Sequence, residues 1–115
     1  LWRQAIESGV AAAGHSQYHA VRLRVFRRHA AAYLRELVDL LPSAAADLRE
    51  AAGHYDQLVK TAATLHDLCA EAKDAGGFWD DARSEAAGLI TAALDADRAA
   101  IASIEAALAV LHESR

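Results

Sequence analysis

Apolar residues along this chain recur three and four positions apart in three long runs. The middle run is the most regular. Leu48, Ala51, Tyr55, Leu58, Ala62, Leu65 and Cys69 keep a three-then-four step throughout, which puts them on one line of an α-helix. Leu23, Phe26, Ala30, Tyr33, Leu37 and Leu40 form a similar seam before it. Ala87, Ile90, Leu94, Asp97, Ile101, Ile104, Leu108 and Leu111 form one after it. Each run is apolar along a single stripe and polar elsewhere, so none is a stable helix alone and each must bury its stripe against the others. No stretch alternates with the two-residue period of a strand.

The breaks between runs are explicit. Leu41-Pro42-Ser43 ends the first, because proline does not continue a helix from inside, and Ser43 is suited to cap the next. Ala75-Gly76-Gly77 ends the second, where glycine takes a left-handed C-terminal cap. Phe78-Trp79 is then expected to fold back as an apolar plug, with Asp80 or Asp81 starting the third helix. Gly53, inside the second run, predicts a close approach by a neighbouring helix. Gly9 and Gly14 weaken the first twenty residues, which predicts a short separate N-terminal helix packed by Trp2 and Ile6. Connections this short make successive helices antiparallel. The expected fold is all-α, an antiparallel bundle of three long, Ala-rich amphipathic helices over segments 20–41, 43–75 and 80–113. The whole of residues 1–115 reads as one domain.

Composition sharpens this picture. The chain is 54% hydrophobic but only 6% aromatic, and alanine supplies most of the apolar count. Alanine favours helix but buries little area, so stability has to come from long, closely packed helices. The chain opens on Leu1 and has no methionine, the pattern expected of a piece of a longer protein. A single cysteine excludes an internal disulfide and fits a reducing, cytoplasmic setting. No apolar run approaches the roughly 20 residues of a membrane helix. The net charge of −4 argues against a general nucleic-acid binder. That charge is uneven: residues 1–41 hold six arginines against three acids, and residues 42–115 hold six basic residues against thirteen acids. A basic first helix lying across two acidic ones accounts for the asymmetry; an anion site on the first helix is the alternative.

Candidate chemistry follows from that cluster. Arg24, Arg28 and Arg35 share a helix face, with Arg27 to one side and Arg22 nearby. Arginine's planar fork suits carboxylate or phosphate, and Arg35 precedes Asp39 by four residues, which predicts local neutralisation. Asp97 is the sharper oddity. It occupies a seam position between Leu94 and Ile101, where an unpaired carboxylate is costly. An arginine or a tyrosine hydroxyl from the first two helices is its expected partner. Arg24, Arg27, Arg28, Asp97 and Tyr33 are therefore the candidate residues for an anion or ligand. His15 and His19, four apart, are a weak metal pair lacking the carboxylates that bundle metal sites use. Cys69 with His66 one turn earlier is a thin case for a nucleophile beside a base. There is no Gly-rich phosphate loop and no Ser-nucleophile elbow. No catalysis, cofactor or metal is expected of this chain.

The stretch Phe26-Arg27-Arg28-His29-Ala30-Ala31-Ala32-Tyr33-Leu34-Arg35-Glu36-Leu37 resembles a helical domain of unknown function. That domain follows the butirosin biosynthesis protein H-type N-terminal domain in bacterial secondary-metabolism proteins. Leu48, Ala51-Ala52 and Tyr55, and the ending Ala99-Ala100-Ile101, Ile104-Glu105 and Leu108, are similar as well. The family's glycine-rich run before the Phe-Arg pair has no counterpart in Gly14-His15-Ser16-Gln17-Tyr18. The resemblance implies a non-catalytic accessory domain in antibiotic biosynthesis. The neighbouring domain would carry the catalytic cysteine and move an acyl group from a carrier protein to an amine. From the residues alone two other roles stand beside it: a bundle binding a small anionic or apolar ligand near Asp97, and a homo-oligomerising structural module. Expected partners are a neighbouring domain or protein surface, or a second copy of the chain, and neither nucleic acid nor a membrane.

Overall fold

A computed structural model describes the backbone of residues 10–77 and 80–113, and side chains at residue 22 and from residue 24 onward within those ranges. It contains three long helices: α1 (Val10–Leu40), α2 (Ala45–Asp74) and α3 (Asp80–Glu113). Among the described residues there is no strand. The molecule measures 56 × 18 × 18 Å. A helix the length of α3 is itself about 50 Å long, so the helices lie side by side and the chain reverses between them. α2 is the central element. α1 and α3 each pack along it, but share no extended backbone packing with each other.

α1 is continuous from Val10 through Gly14 to Leu40, so it starts before the expected residue 20, and a surrounding helix tolerates Gly14 at about 1 kcal/mol; the short helix expected within the first twenty residues falls in large part outside the described residues. Trp2 and Ile6 lie outside the described residues. After Leu41, Pro42–Ala44 forms a single 3-10 turn, and Ala44 rather than Ser43 precedes the first residue of α2 with no side-chain cap. Proline with its fixed φ opens that turn, which moves the helix start past the serine. Asp47 in the first turn of α2 is favourably placed against the helix dipole.

The end of α2 follows the sequence. Gly76 has φ +87°, its N–H donates to the Lys73 carbonyl at 3.2 Å, and the Gly77 N–H donates to the Ala72 carbonyl at 2.7 Å. This is the Schellman closure. Phe78 and Trp79, the expected plug, lie outside the described residues. Asp80 and Asp81 then occupy the first turn of α3.

All seven seam residues of α2 are buried, with Leu58 and Leu65 among the largest fully enclosed side chains. The flanking helices are rotated by about one residue from the expected seams. On α1 the buried residues are Ala31, Leu34 and Val38; Ala30 and Leu37 are partly covered, and Phe26, Tyr33 and Leu40 are exposed. On α3 Ile90 is buried, and Ile104 and Leu111 are partly covered. The rest of the inner row is small: Ala82, Ala86, Ala93, Ala96, Ala100, Ser103 and Ala107, leaving Leu94, Ile101 and Leu108 exposed. Small side chains on the inner row let the α3 backbone lie close to α2, and the larger residues stay at the edge. Gly53 is no close-approach site: it is exposed, and a Cβ built there would have nothing within 4 Å.

Two clusters make up the core. The larger joins all three helices through Leu34, Val38, Leu48, Tyr55, Leu58 and the alanines of α3. The second joins α2 and α3 near their connection, around Leu65, Leu68, Cys69 and Ile90. No helix among the described residues is long and apolar enough to cross a membrane.

Candidate functional site

The polar feature of the bundle lies where its three helices meet. Arg27 of α1 donates from Nε to Asp97 Oδ1 of α3 at 3.0 Å. The same guanidinium lies over the Tyr55 ring of α2, 5.8 Å from its centroid. The pair is part-buried, with side chains 34% and 26% exposed. Asp97 thus has the arginine that its seam position demands. Tyr55, itself buried, is pushed above the ordinary phenol range, first by burial and then by the negative charge of Asp97, with Arg27 opposing. Arg27 bridges two helices whose backbones are otherwise apart.

The other sequence candidates do not join it. Tyr33 is on the exposed row of α1. Arg24 is half-buried and Arg28 exposed, and neither forms an ion pair among the described residues. Arg35, on the same face, turns to α2: Nη1 donates to Asp56 Oδ1 at 3.3 Å and Nη2 contacts Oδ2, so Asp56 and not Asp39 neutralises it. Arg22 stacks over Phe26 at 5.5 Å. The side chains of His15 and His19 lie outside the described set, and no group of three potential metal ligands occurs among the described residues. Cys69 is fully enclosed, and burial pushes its thiol up to about 11. His66 lies 3.4 Å from Asp67. A neutral, enclosed thiol is a poor nucleophile.

What the sequence did not single out is a surface. Phe26, Tyr33 and Leu40 on α1, and Leu94, Ile101 and Leu108 on α3, are each spaced by seven and between 45% and 73% exposed. Seven residues are close to two turns, so each trio is a straight row. The α1 row sits one residue before the row of Arg27, Leu34 and Leu41, and the α3 row one residue after Ala93, Ala100 and Ala107. One residue is about 100° of rotation. Because α1 and α3 run in the same direction on either side of α2, those opposite displacements turn both rows to one side, away from α2. Arg27, Asp97, Leu37 and Ile104 lie between the rows as the floor of the groove. Six large side chains, each about half exposed, offer on the order of 100 Å² apiece, roughly 600 Å² together. The two rows flank the Arg27–Asp97 pair, and exposed large apolar side chains rimmed by polar ones often mark a binding surface.

No family model matches the chain, and neither the curated proteins nor the solved structures returned a match.

Proposed function

We propose that this chain is a non-catalytic helical interaction module that docks an apolar protein surface on the face formed by α1 and α3. The observation that carries the reading is the pair of seven-residue rows, Phe26/Tyr33/Leu40 and Leu94/Ile101/Leu108, left exposed while alanines line the interior. The arginine at the meeting of the helices supports it from the other side: Arg27 is engaged by Asp97 and Tyr55 and serves as a tie between helices. The test is the double substitution Tyr33→Glu/Ile101→Glu. Its melting temperature should stay within a few degrees of the parent, because both side chains are exposed. At submicromolar protein, binding of an environment-sensitive apolar dye should fall several-fold. Unchanged dye binding, or loss of the fold, would refute the assignment.

The resemblance of Phe26–Leu37 to the companion domain of butirosin-type acyltransferases favours a second reading of the occupant. In that reading the face packs on a neighbouring acyltransferase domain of a bacterial biosynthetic protein. Phe26 and Tyr33 of the resembling stretch both stand on the exposed row, where such a neighbour would bury them. Co-migration of the chain with a domain of that class, lost in Tyr33→Glu/Ile101→Glu, is the expected result.

A further inference from the structure

We infer that the occupant of the α1/α3 face is a second copy of this chain, related by a two-fold axis perpendicular to the helices so that α1 lies antiparallel on α1 and α3 antiparallel on α3. The inference rests on the docking-face reading above and adds partner, direction and register.

The register comes from the Arg27–Asp97 bond, which sets each α1 residue level with the α3 residue seventy positions later. Tyr33, the middle of its row, is then level with residue 103, within two residues, or about 3 Å, of Ile101, the middle of the other row. Both rows are centred at the same height, as a single perpendicular two-fold requires. An isologous interface places each patch on itself. Tyr33 then meets the partner's Tyr33, Ile101 meets the partner's Ile101, Phe26 faces the partner's Leu40, and Leu94 faces the partner's Leu108.

Charge selects this arrangement over the parallel one. His29 and Glu36 flank the α1 row on its outer side, and Arg98 and Glu105 flank the α3 row. In the antiparallel dimer Arg98 comes opposite the partner's Glu105, and Glu36 opposite the partner's His29, each pair occurring twice. A parallel two-fold sets α1 against the partner's α3, which brings the apolar rows together equally well. It also puts Glu36 against the partner's Glu105, twice, a like-charge contact of the kind that fixes helix orientation in coiled coils. Among the described residues Arg98 makes one long ion pair, to Asp95 at 3.9 Å. The area is also sufficient. Roughly 600 Å² from each copy gives about 1,200 Å², the lower end of specific stable interfaces.

Three measurements on the 115-residue chain test this. Sedimentation should show a concentration-dependent dimer. Tyr33→Cys alone and Ile101→Cys alone should each form a disulfide-linked dimer under mild oxidation, with enclosed Cys69 silent in the parent. In a parallel dimer neither would cross-link alone, whereas the two together would. Arg98→Glu should weaken the dimer about tenfold by creating two like-charge contacts, and adding Glu105→Arg should restore it. A chain that stays monomeric at about 100 μM, well above micromolar affinity, overturns the inference. So does a dimer in which neither single cysteine cross-links, or one that the charge exchange fails to rescue. A monomer whose apolar dye binding still depends on Tyr33 and Ile101 retires the second copy but leaves the docking face. A monomer that binds no dye removes both.

Discussion

Arg27 and Asp97 should behave as a coupled pair. At 3.0 Å the charges attract by a few kcal/mol at the effective dielectric of a protein edge, and desolvation offsets part of that. Exposed pairs are worth up to about 1 kcal/mol, whereas breaking a fully buried one costs about 3–5 kcal/mol. With the two side chains 34% and 26% exposed, solvent screens the pair substantially, and a coupling of about 1–2 kcal/mol is expected. Arg27→Leu also loses the stacking on Tyr55, worth about 0.5–1 kcal/mol at such sites, so it should be the more costly single change. Asp97→Leu leaves Arg27 part-buried without its carboxylate. Arg27→Leu/Asp97→Leu removes both charges and supplies apolar bulk to the groove floor, so it should cost less than the sum of the singles. The assay is urea unfolding at pH 7, run in the Tyr33→Glu/Ile101→Glu background so that self-association does not contribute to apparent stability. Raising the salt should shrink the coupling only in part, because the pair is half-sheltered. A double mutant whose loss equals the sum of the singles would refute the tie.

Cys69 predicts an alkaline weakening: its folded thiol titrates at about 11 against 9.0 unperturbed. The folded state therefore holds the proton longer, and stability that is complete below pH 9 declines as pH rises towards 11. The loss is on the order of 2–3 kcal/mol, and it should be absent from the difference between Cys69→Ala at pH 8 and pH 11 in urea titrations. The observed rotation of α3 predicts that Ala100→Leu, at a fully buried position, costs about 1–3 kcal/mol by overpacking. The neighbouring Ile101→Ala should leave monomer stability within about 0.5 kcal/mol, and thermal melts of the two decide which residue faces in. Gly53→Ala, with open space around the new methyl, should stabilise by about 0.5–1 kcal/mol. Gly76→Ala, at φ +87°, should destabilise by about 1 kcal/mol or more.

How far the sequence could be read depends on where the large side chains sit. The α2 seam was legible in full because its inward row, Leu48, Tyr55, Leu58 and Leu65, is also its largest row. The Gly76-Gly77 stop was legible because the closure needs a residue with positive φ. Asp97 was legible as an interhelical polar contact, since a carboxylate between apolar rows demands a cation. On α1 and α3 the same habit of following large residues led to the wrong row. Phe26, Tyr33 and Leu40 repeat every seven positions whether they face a core or a partner, and nothing in that spacing says which. Alanine carries little weight in such a reading, yet Ala93, Ala100 and Ala107 hold the interior. Tyr55's place beside Arg27 was hidden for another reason: it depends on the relative heights of three helices, which periodicity within one helix does not fix.

The width of the apolar surface separates the two roles. α2 has a helix on either side, and its large apolar residues are buried between them. α1 and α3 each have one neighbour along their length, yet each carries two apolar rows about 100° apart: a covered one against α2 and an exposed one beside it. Turning either helix by one residue to bury its outer row would expose Leu34 and Val38, or the alanine row that lets α3 approach α2. It would also pull Arg27 away from Asp97. Neither row is therefore spare core that the monomer could reclaim by repacking. A helix with two apolar rows and one neighbour is shaped for a second neighbour, and here two such helices present their free rows at the same height on the same side.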